Sequence, residues 1–461
     1  MAGIGFTLRK ILGKPTFFNI LRAYGYAGLL SSGPLMMSIL SLTCLSFVMV
    51  WLGVGDSYRL LYATVTYIYC FTLILTGPIQ LVLVRYGADC DYLKERNRLI
   101  PFLGVCLALV GGVALVLSGL VFGLGMSAPP VFRWSAVLLS VLVSWVWLLS
   151  GMVTALKQHK RVLLSFAAGY GSGFLAGWLL VVARGSDWAL LGFAIGHLVL
   201  MVMLLWTLLC EIKPDSRNLP AEHLLAVVRR YWELSLAGLL YNVGIWADKI
   251  IFWRFAQGPE LMGGILYVMP LYDQAVYLGF LSIIPGMAVF LLRLESEFAH
   301  YYEEYFKKVT GRGSLQELET IKGQMISSLR EELLILGKVQ GTITLALLIL
   351  APRLMHYVGL GSLQTGVFQI VMLGSFLLLF FLTFLTVLFY LDKKHDALVA
   401  CGIFCGVNAL VSYLTTLYGE SWYGVGYVCA TAIAAGYSAV RARYHIERLE
   451  YDTFARQPLI M

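Results

Sequence analysis

The sequence predicts an all-α polytopic membrane protein with twelve transmembrane helices. Hydrophobic residues make up 59% of the 461 residues and charged residues only 13%, about half the charged share of an average soluble protein. Apolar runs long enough to cross a bilayer recur along the whole chain. Lysine and arginine are distributed unevenly between the segments that connect these runs. Together these observations indicate a membrane protein with a defined orientation.

The apolar runs and the basic residues give the topology. With the N-terminus on the inside, the connecting segments on that side hold 28 of the 34 lysines and arginines, and those on the other side hold five. The remaining residue, Lys249, lies within a span. Cytoplasmic loops are enriched in Lys and Arg, so we expect both termini to be cytoplasmic. The predicted spans are residues 24–52, 61–84, 99–124, 132–155, 162–183, 188–210, 234–255, 265–292, 334–357, 366–391, 397–418 and 422–440.

The two halves of the chain resemble each other. AGLL occurs at Ala27–Leu30 and again at Ala237–Leu240, and Pro78 and Pro285 each precede an arginine by seven or eight residues. The offsets of 210 and 207 residues agree, which favours a duplication into two six-helix lobes. An even number of spans in each half preserves its orientation, so the repeat is parallel, with a pseudo-two-fold axis along the membrane normal.

The predicted organisation has five parts. They are an N-terminal interfacial amphipathic helix, an N-lobe with spans one to six, a cytoplasmic linker, a C-lobe with spans seven to twelve, and a cytoplasmic tail, at residues 1–22, 23–212, 213–233, 234–441 and 442–461. The basic first segment suits a negatively charged cytoplasmic leaflet.

A cytoplasmic helical insertion is predicted at 293–338 in the C-lobe. Ser314 and Glu317 form a capping-box pattern that begins a helix. The helix then carries an apolar stripe, made of Leu315, Leu318, Ile321, Met325 and Leu329. Two interpretations stay open. The helix lies on the membrane or on the protein's own core, or the stripe is a docking surface for a cytoplasmic partner.

The stretch Tyr241–Phe255, YNVGIWADKIIFWRF, places two ionisable residues side by side within span seven. An ionisable group in a span costs about 2.5–3.5 kcal/mol, so it normally faces protein or water. Neighbouring helical residues point about 100° apart, so we expect Asp248 and Lys249 each to find a partner on another helix. Asp273 in span eight is expected at a similar depth, about 10–12 Å below the outer surface. A structural ion pair is the alternative to a substrate or ion site.

Tyrosines and prolines concentrate in spans one, two, seven and eight. Residues 24–86 hold seven tyrosines and residues 234–292 hold four, whereas residues 99–210 hold one. A proline within a span permits a kink where protein or water satisfies the freed carbonyl. We therefore predict that these spans line a cavity. The predicted cavity residues are Asp248, Lys249, Asp273, Gln274, Asn242, Tyr241, Trp246, Tyr272, Tyr277, Tyr67, Tyr69 and Gln80. The predicted hinge or kink residues are Pro34, Pro78, Pro270 and Pro285.

The remaining helices are interpreted as support. Glycines recur four residues apart in spans five and six, which indicates close helix packing; they are Gly169, Gly173, Gly177, Gly192 and Gly196. His197 stands alone among apolar residues, and we interpret it as a hydrogen-bonded packing residue.

Several functions are excluded or weakened by what the sequence lacks. The eight cysteines are scattered without a CxxC pair, so no metal site or cofactor is predicted. HExxH, GxSxG and P-loop patterns are absent, which argues against an enzyme. The net charge of +8 reflects membrane orientation and does not indicate nucleic acid as a partner.

The opening MAGIGFTLRKIL, followed by AYGYAGLLSSGP at Ala23–Pro34, resembles the PelG family. These proteins are inner-membrane transporters of the Pel exopolysaccharide system. The likeness extends to the twelve-span layout and to YNVGIWADKIIFWRF. The family is grouped with the MOP superfamily of flippases, which includes lipid-linked oligosaccharide flippases and multidrug and toxic-compound extruders (MATE).

The resemblance implies two six-helix lobes facing each other in a V and alternating access between them. It also implies a polymer of amino sugars as cargo and a location in the bacterial inner membrane. The partners it implies are a cytoplasmic glycosyltransferase and two other inner-membrane Pel components, one of them a receptor for cyclic di-GMP. The predicted site residues rest on their physical properties alone.

Four functions are weighed on this basis. The first is export of a growing or lipid-linked polysaccharide, since aromatic faces suit sugar rings and carboxylates suit amines. The second is cation-coupled extrusion of small molecules, weakened because spans one to six hold no acid. A membrane-embedded enzyme would need paired carboxylates on a sizeable outer loop. A purely structural anchor does not explain charges and prolines within spans.

Overall fold

A computed structural model describes residues 17–54, 56–156, 158–212 and 221–455. Residues 1–16 of the predicted N-terminal amphipathic helix and residues 213–220 of the linker therefore lie outside the described residues. Helix is described from Phe17 onward. The tail is described as far as Ala455.

Twelve helical segments in the described part of the chain are long and apolar enough to cross a membrane, which confirms the predicted number. They are Tyr24–Trp51, Ser57–Tyr92, Arg96–Leu124, Pro130–Ala155, His159–Arg184, Ser186–Glu211, Trp232–Phe255, Pro270–Arg293, Leu315–Tyr357, Ser362–Tyr390, Lys394–Tyr418 and Glu420–Glu447. They are called spans one to twelve below. Shorter helices cover Ala221–Arg230, Ala299–Thr310 and Leu449–Phe454. Strands Glu260–Met262 and Leu266–Val268 form an antiparallel hairpin between spans seven and eight.

Two spans differ from their predicted form. Span nine is a single helix of 43 residues from Leu315 to Tyr357, because the helix of the insertion continues without a break into the apolar segment. Span eight consists of two helices, Pro270–Leu281 and Ile284–Arg293. Neither feature changes the number of crossings.

The four predicted hinge or kink prolines occupy different positions in their helices. Pro34 and Pro78 lie inside continuous helices. Pro285 stands in the first turn of the second helix of span eight, directly after the break. Pro270 is the first residue of its helix, where a proline fits without disturbing a hydrogen bond. The expectation of a kink at Pro270 is thereby corrected.

The break in span eight is stabilised from span nine. The Gln340 side chain is fully buried, and its Nε2 donates to the carbonyl oxygen of Ser282 at 2.7 Å. A Cβ added at Gly286 would lie 2.6 Å from Gln340 Oε1 and 2.3 Å from a Leu379 methyl group. Gly286 thus leaves room for the Gln340 side chain, which donates a hydrogen bond to the Ser282 carbonyl at the break.

The contacts divide the chain into two compact units. Within the described residues, the first unit comprises 32–246 and 256–270, and the second comprises 17–31, 247–255 and 271–455. The units do not coincide with spans one to six and spans seven to twelve. Spans one and seven each contribute to both units, and residues 256–270 belong to the first unit. The early part of span one packs in the second unit, where Ala27 contacts Ala288 and Leu292.

Close backbone contacts build the first unit. A Cβ added at Gly192 would lie 2.2 Å from the Gly177 backbone, so spans five and six meet through their glycines as predicted. Spans two and seven meet in the same way, because a Cβ at Gly238 would lie 2.2 Å from the carbonyl oxygen of Gly77.

The insertion folds onto the second unit. Its capping box is present, with Ser314 Oγ accepting from the Glu317 amide at 3.3 Å and the Glu317 side chain accepting from the Ser314 amide at 3.0 Å. Four members of the apolar stripe are buried within the protein; they are Leu318, Ile321, Met325 and Leu329. Leu315 alone is exposed. The stripe therefore packs on the protein's own core, and its interpretation as a docking surface is wrong for these four side chains.

Candidate functional site

Span seven carries a buried ion pair within one helix. Asp248 is 1% exposed and Lys249 7% exposed. The Lys249 Nζ lies 3.2 Å from Asp248 Oδ1 and 3.3 Å from Oδ2. We expected each residue to find its partner on another helix. The long lysine stem overcomes the 100° separation by turning its ammonium back towards the preceding carboxylate.

Aromatic residues complete the surroundings of this pair. The Tyr272 hydroxyl, on a fully buried side chain, donates to Asp248 Oδ2 at 2.5 Å. The Lys249 ammonium lies 5.0 Å from the centroid of the Phe280 ring, within the range of a cation–π interaction. Asp248, Lys249 and Tyr272, here called the ion-pair cluster, thus form a net-neutral group. Both charged side chains within it have a neighbour of opposite charge, as buried charges require.

Two further rings pack against the ion-pair cluster. Phe252, one helical turn after Asp248, stacks on Tyr423 with centroids 4.3 Å apart. It also meets Tyr272 edge to face at 4.5 Å. Such packing holds Tyr272 in the position from which its hydroxyl reaches the carboxylate.

Asp273, the second carboxylate of the predicted site, is held in another way. The Trp253 indole Nε1 donates to both of its oxygens, at 3.0 and 2.9 Å. Asp273 is only partly buried, whereas Asp248 is almost fully enclosed. The two acids therefore differ in exposure. Asp248 is enclosed beside Lys249 and Tyr272, whereas Asp273 accepts from Trp253 and is partly exposed.

Accessible polar groups lie beside Asp273 on span eight. Gln274 is exposed and its Oε1 accepts from Gln364 Nε2 at 3.0 Å. Tyr277, one turn further on, is 37% exposed. Asp273, Gln274, Tyr277 and Trp253 all belong to the second unit, and they are called the accessible carboxylate site below.

The other predicted cavity residues lie in the first unit; they are Tyr241, Asn242, Trp246, Tyr67, Tyr69 and Gln80. Asn242 Nδ2 donates to the Gly238 carbonyl at 3.0 Å, beside the close approach of spans two and seven. Tyr67 binds the hairpin: its hydroxyl donates to the Tyr267 carbonyl at 2.7 Å and accepts from the Tyr267 amide at 3.1 Å.

Gln80 and Tyr69 face neighbours inside the first unit. Gln80 lies next to Gly151, where an added Cβ would be 3.6 Å from its Nε2. The Tyr69 hydroxyl lies within hydrogen-bonding distance of Ser38, Tyr170 and His197. His197 is indeed a hydrogen-bonded buried residue, as its apolar surroundings in the sequence suggested. Its connection to Tyr69 was not foreseen.

Trp253 was also missed by the sequence reasoning. It lies four residues after Lys249, and residues four apart share one helix face. That spacing could have associated its indole N–H with the charged part of span seven. Among the described residues, no group of three or more His, Cys, Asp or Glu side chains could hold a metal ion.

Comparison with solved structures identifies the fold. The chain is similar to a MATE protein crystallised in the straight conformation, with a TM-score of 0.64, 13% identity, and coverage of 96% of this chain and 98% of the other. It is equally similar to an outward-facing multidrug resistance MATE family transporter of the MOP superfamily, with the same TM-score, identity and coverage. An inward-facing transporter of the same description gives a TM-score of 0.59, 13% identity, and coverage of 97% and 99%.

These similarities confirm the predicted fold class, an all-α polytopic membrane protein with twelve candidate spans and a MATE-like fold. No curated protein sequence matches the chain. Residues 1–454 match the PelG family, whose description is "Putative exopolysaccharide Exporter (EPS-E)". The match covers almost the whole sequence. The chain is therefore a multi-pass membrane protein that belongs to the PelG family of exopolysaccharide exporters.

Proposed function

We propose that this chain moves an amino-sugar exopolysaccharide across the bacterial inner membrane by alternating access. The family match over residues 1–454 carries the proposal. It supports membrane transport of an exopolysaccharide. Both the family and the similar solved structures are transporters, so the residues of the site are assigned to binding and not to catalysis.

The accessible carboxylate site supplies the chemistry that an amino sugar requires. An amine that is not acetylated carries a positive charge, and charge-assisted hydrogen bonds between ammonium and carboxylate are about twice as strong as neutral ones. Asp273 offers this carboxylate while Trp253 fixes its orientation through two hydrogen bonds. Tyr277 offers a ring face to the sugar, and Gln274 offers an amide to its hydroxyl groups.

The ion-pair cluster has a supporting role in this proposal. Its charges compensate each other within the second unit, so it presents no net charge to a passing polymer. Removal of either charged member would leave the other buried without compensation, at a cost of about 3–5 kcal/mol. Asp248 therefore contributes to the stability of the folded protein, and Asp273 binds the cargo.

Alternating access is supported by the conformations of the similar solved structures. One MATE family transporter is outward-facing and another is inward-facing. We propose that this chain passes between two corresponding states. We also propose that both termini and the insertion are cytoplasmic, where a glycosyltransferase supplies the polymer and a cyclic di-GMP receptor belongs to the same assembly. The charge distribution supports the orientation, and the family supports the partners.

Reconstituted transport tests the function. The purified chain is placed in proteoliposomes, and uptake of fluorescent oligosaccharides is measured for a deacetylated amino-sugar oligomer and for its fully N-acetylated counterpart. We expect protein-dependent transport that is faster for the cationic oligomer. Equal transport of a neutral glucan would contradict the assignment of amino sugars. If transport occurs only when the cytoplasmic glycosyltransferase is added, the cargo is the growing polymer.

A further inference from the structure

A chain of hydrogen-bonded side chains connects four spans of the first unit. The Tyr69 hydroxyl lies 2.9 Å from Ser38 Oγ, 3.3 Å from the Tyr170 hydroxyl and 3.4 Å from His197 Nε2. These residues come from spans one, two, five and six. Tyr69 is therefore the branching point of the network, and His197 is one of its ends.

The geometry determines which nitrogen of His197 carries hydrogen. Nδ1 lies 3.0 Å from the carbonyl oxygen of Phe193. A carbonyl can only accept, so Nδ1 carries the hydrogen and donates. In a neutral imidazole Nε2 is then an acceptor, and the Tyr69 hydroxyl donates to it.

The network can also hold the protonated ring. When Nε2 takes up a proton it becomes a donor, and the Tyr69 oxygen accepts from it. The hydrogen of the Tyr69 hydroxyl then turns to Ser38 Oγ or to the Tyr170 hydroxyl, both of which can accept. Rotation of one hydroxyl thus adapts the whole network to a proton, and no hydrogen bond at His197 is lost.

The surroundings of His197 contain no fixed charge. The ring is 2% exposed and lies against Tyr170 and Phe193, with centroids 5.3 and 4.7 Å away. The titratable groups that face it, among the described residues, are Tyr69 and Tyr170. The aspartate, glutamate and lysine side chains buried in the described ranges all lie in the second unit. Because there is no counter-charge, the protonated ring is stabilised by the hydrogen-bond network and by the neighbouring rings.

Tyr69 is the member of the network that is not fully buried, unlike His197. In the proposed route, a proton from water passes through the Tyr69 hydroxyl to the imidazole. In that step a hydronium ion gives one proton, a new N–H bond forms at Nε2, and the site gains one positive charge. The reverse step returns the proton to water.

We propose that His197 and Tyr69 form a proton-binding site in the first unit, with Ser38 and Tyr170 as the alternative acceptors of the Tyr69 hydroxyl. Its ligand is a proton taken from water. The site shares no residue with the accessible carboxylate site, and it supplies a coupling ion for a transporter. Proton binding at His197 can therefore be established or rejected without knowledge of the cargo.

The test is a pH titration of the full chain in lipid nanodiscs, with histidine labelled by ¹⁵N and the ring nitrogens observed by NMR. The His197→Gln variant identifies the signal among those of the seven histidines. We expect a neutral ring with hydrogen at Nδ1 under alkaline conditions and a ring with both nitrogens protonated under acidic conditions. Tyr69→Phe should move the transition at least about one pH unit lower, a tenfold weaker binding of the proton.

Alanine variants of two serines in span one distinguish a proton-binding site from residues that only pack together. Ser38→Ala removes one acceptor of the Tyr69 hydroxyl and should move the transition in the same direction by a smaller amount. Ser41, three residues later and equally buried, donates to the Tyr170 carbonyl at 3.0 Å and does not contact the Tyr69 hydroxyl. Ser41→Ala should leave the transition unchanged. Equal shifts in both serine variants, or a ring that stays neutral wherever the protein is folded, would overturn the proposal.

Discussion

Lys249 and Asp248, neighbours in sequence, form a buried ion pair in which the ammonium lies 3.2 Å from the carboxylate. Because neither side chain is appreciably exposed, each charge depends on the other. Tyr272 and Phe280 provide a hydrogen bond and a ring face to the same pair. The pair therefore belongs to the core of the second unit.

We predict that Lys249→Ala destabilises the protein by about 3–5 kcal/mol, because it leaves the Asp248 carboxylate buried without its cation. Thermal unfolding of the purified variant and its abundance in membranes measure the effect. Lys338→Ala, which removes an exposed lysine, is the matched control. The double variant Asp248→Leu with Lys249→Met should recover most of the lost abundance, since an apolar replacement of a buried pair is often neutral. A Lys249→Ala variant as stable as the Lys338→Ala control would contradict this account.

The apolar stripe of the insertion should behave as core. Met325 is fully buried and Leu315 is 60% exposed, although both belong to the same stripe. We expect Met325→Ala to lower the free energy of unfolding by about 2–5 kcal/mol, and Leu315→Ala to change it by less than about 0.5 kcal/mol. Chemical denaturation of the two variants in detergent compares them. Similar stability of both would mean that the stripe is free to bind a partner.

The Tyr67 hydroxyl should hold the hairpin between spans seven and eight. It makes two hydrogen bonds to the backbone of Tyr267, each worth about 0.5–1.5 kcal/mol. In Tyr67→Phe we expect faster hydrogen exchange at the Tyr267 amide, measured by mass spectrometry of the peptide that contains it. Tyr62→Phe, which removes an exposed hydrogen bond to Thr43, should not change that exchange. Unchanged protection in Tyr67→Phe would show that the strand pairing alone holds the hairpin.

The predicted orientation can be tested with single cysteines in a cysteine-free background. Arg312 is exposed at the turn of the insertion, and Gln257 is exposed before the hairpin. We expect a membrane-impermeant maleimide to label Gln257→Cys in intact cells and to label Arg312→Cys only after the membrane is permeabilised. Efficient labelling of Arg312→Cys from outside would reverse the topology.

Much of the fold could be predicted because it depends on composition and periodicity. Apolar length determines the spans, and the capping box at Ser314 is a local signal that the structure reproduces. The glycines of spans five and six also indicated their contact correctly. The span lengths and the capping box are local to one helix. The contact of spans five and six follows from glycine, which has no side chain to keep the two helices apart.

Tertiary contacts set the limit of prediction from the sequence. The return of Lys249 towards Asp248 depends on side-chain rotamers, which residue spacing does not determine. An apolar stripe must be covered, but the sequence does not say by what, so the burial of Met325 required the structure. The hydrogen bonds from Trp253 to Asp273 and from Tyr69 to His197 join residues 20 and 128 positions apart. Such pairs become visible only when helices pack.

Transport by two asparagine variants distinguishes Asp273 from Asp248 as the residue that meets the cargo. Uptake of a deacetylated amino-sugar oligomer is measured in proteoliposomes and expressed per folded protein. We predict that Asp273→Asn has normal abundance and thermal stability but loses most of this transport, because its amide carries no charge for the amine. Asp248→Asn should lose folded protein, whereas the remaining folded fraction transports. Normal transport of the cationic oligomer by Asp273→Asn would contradict the account.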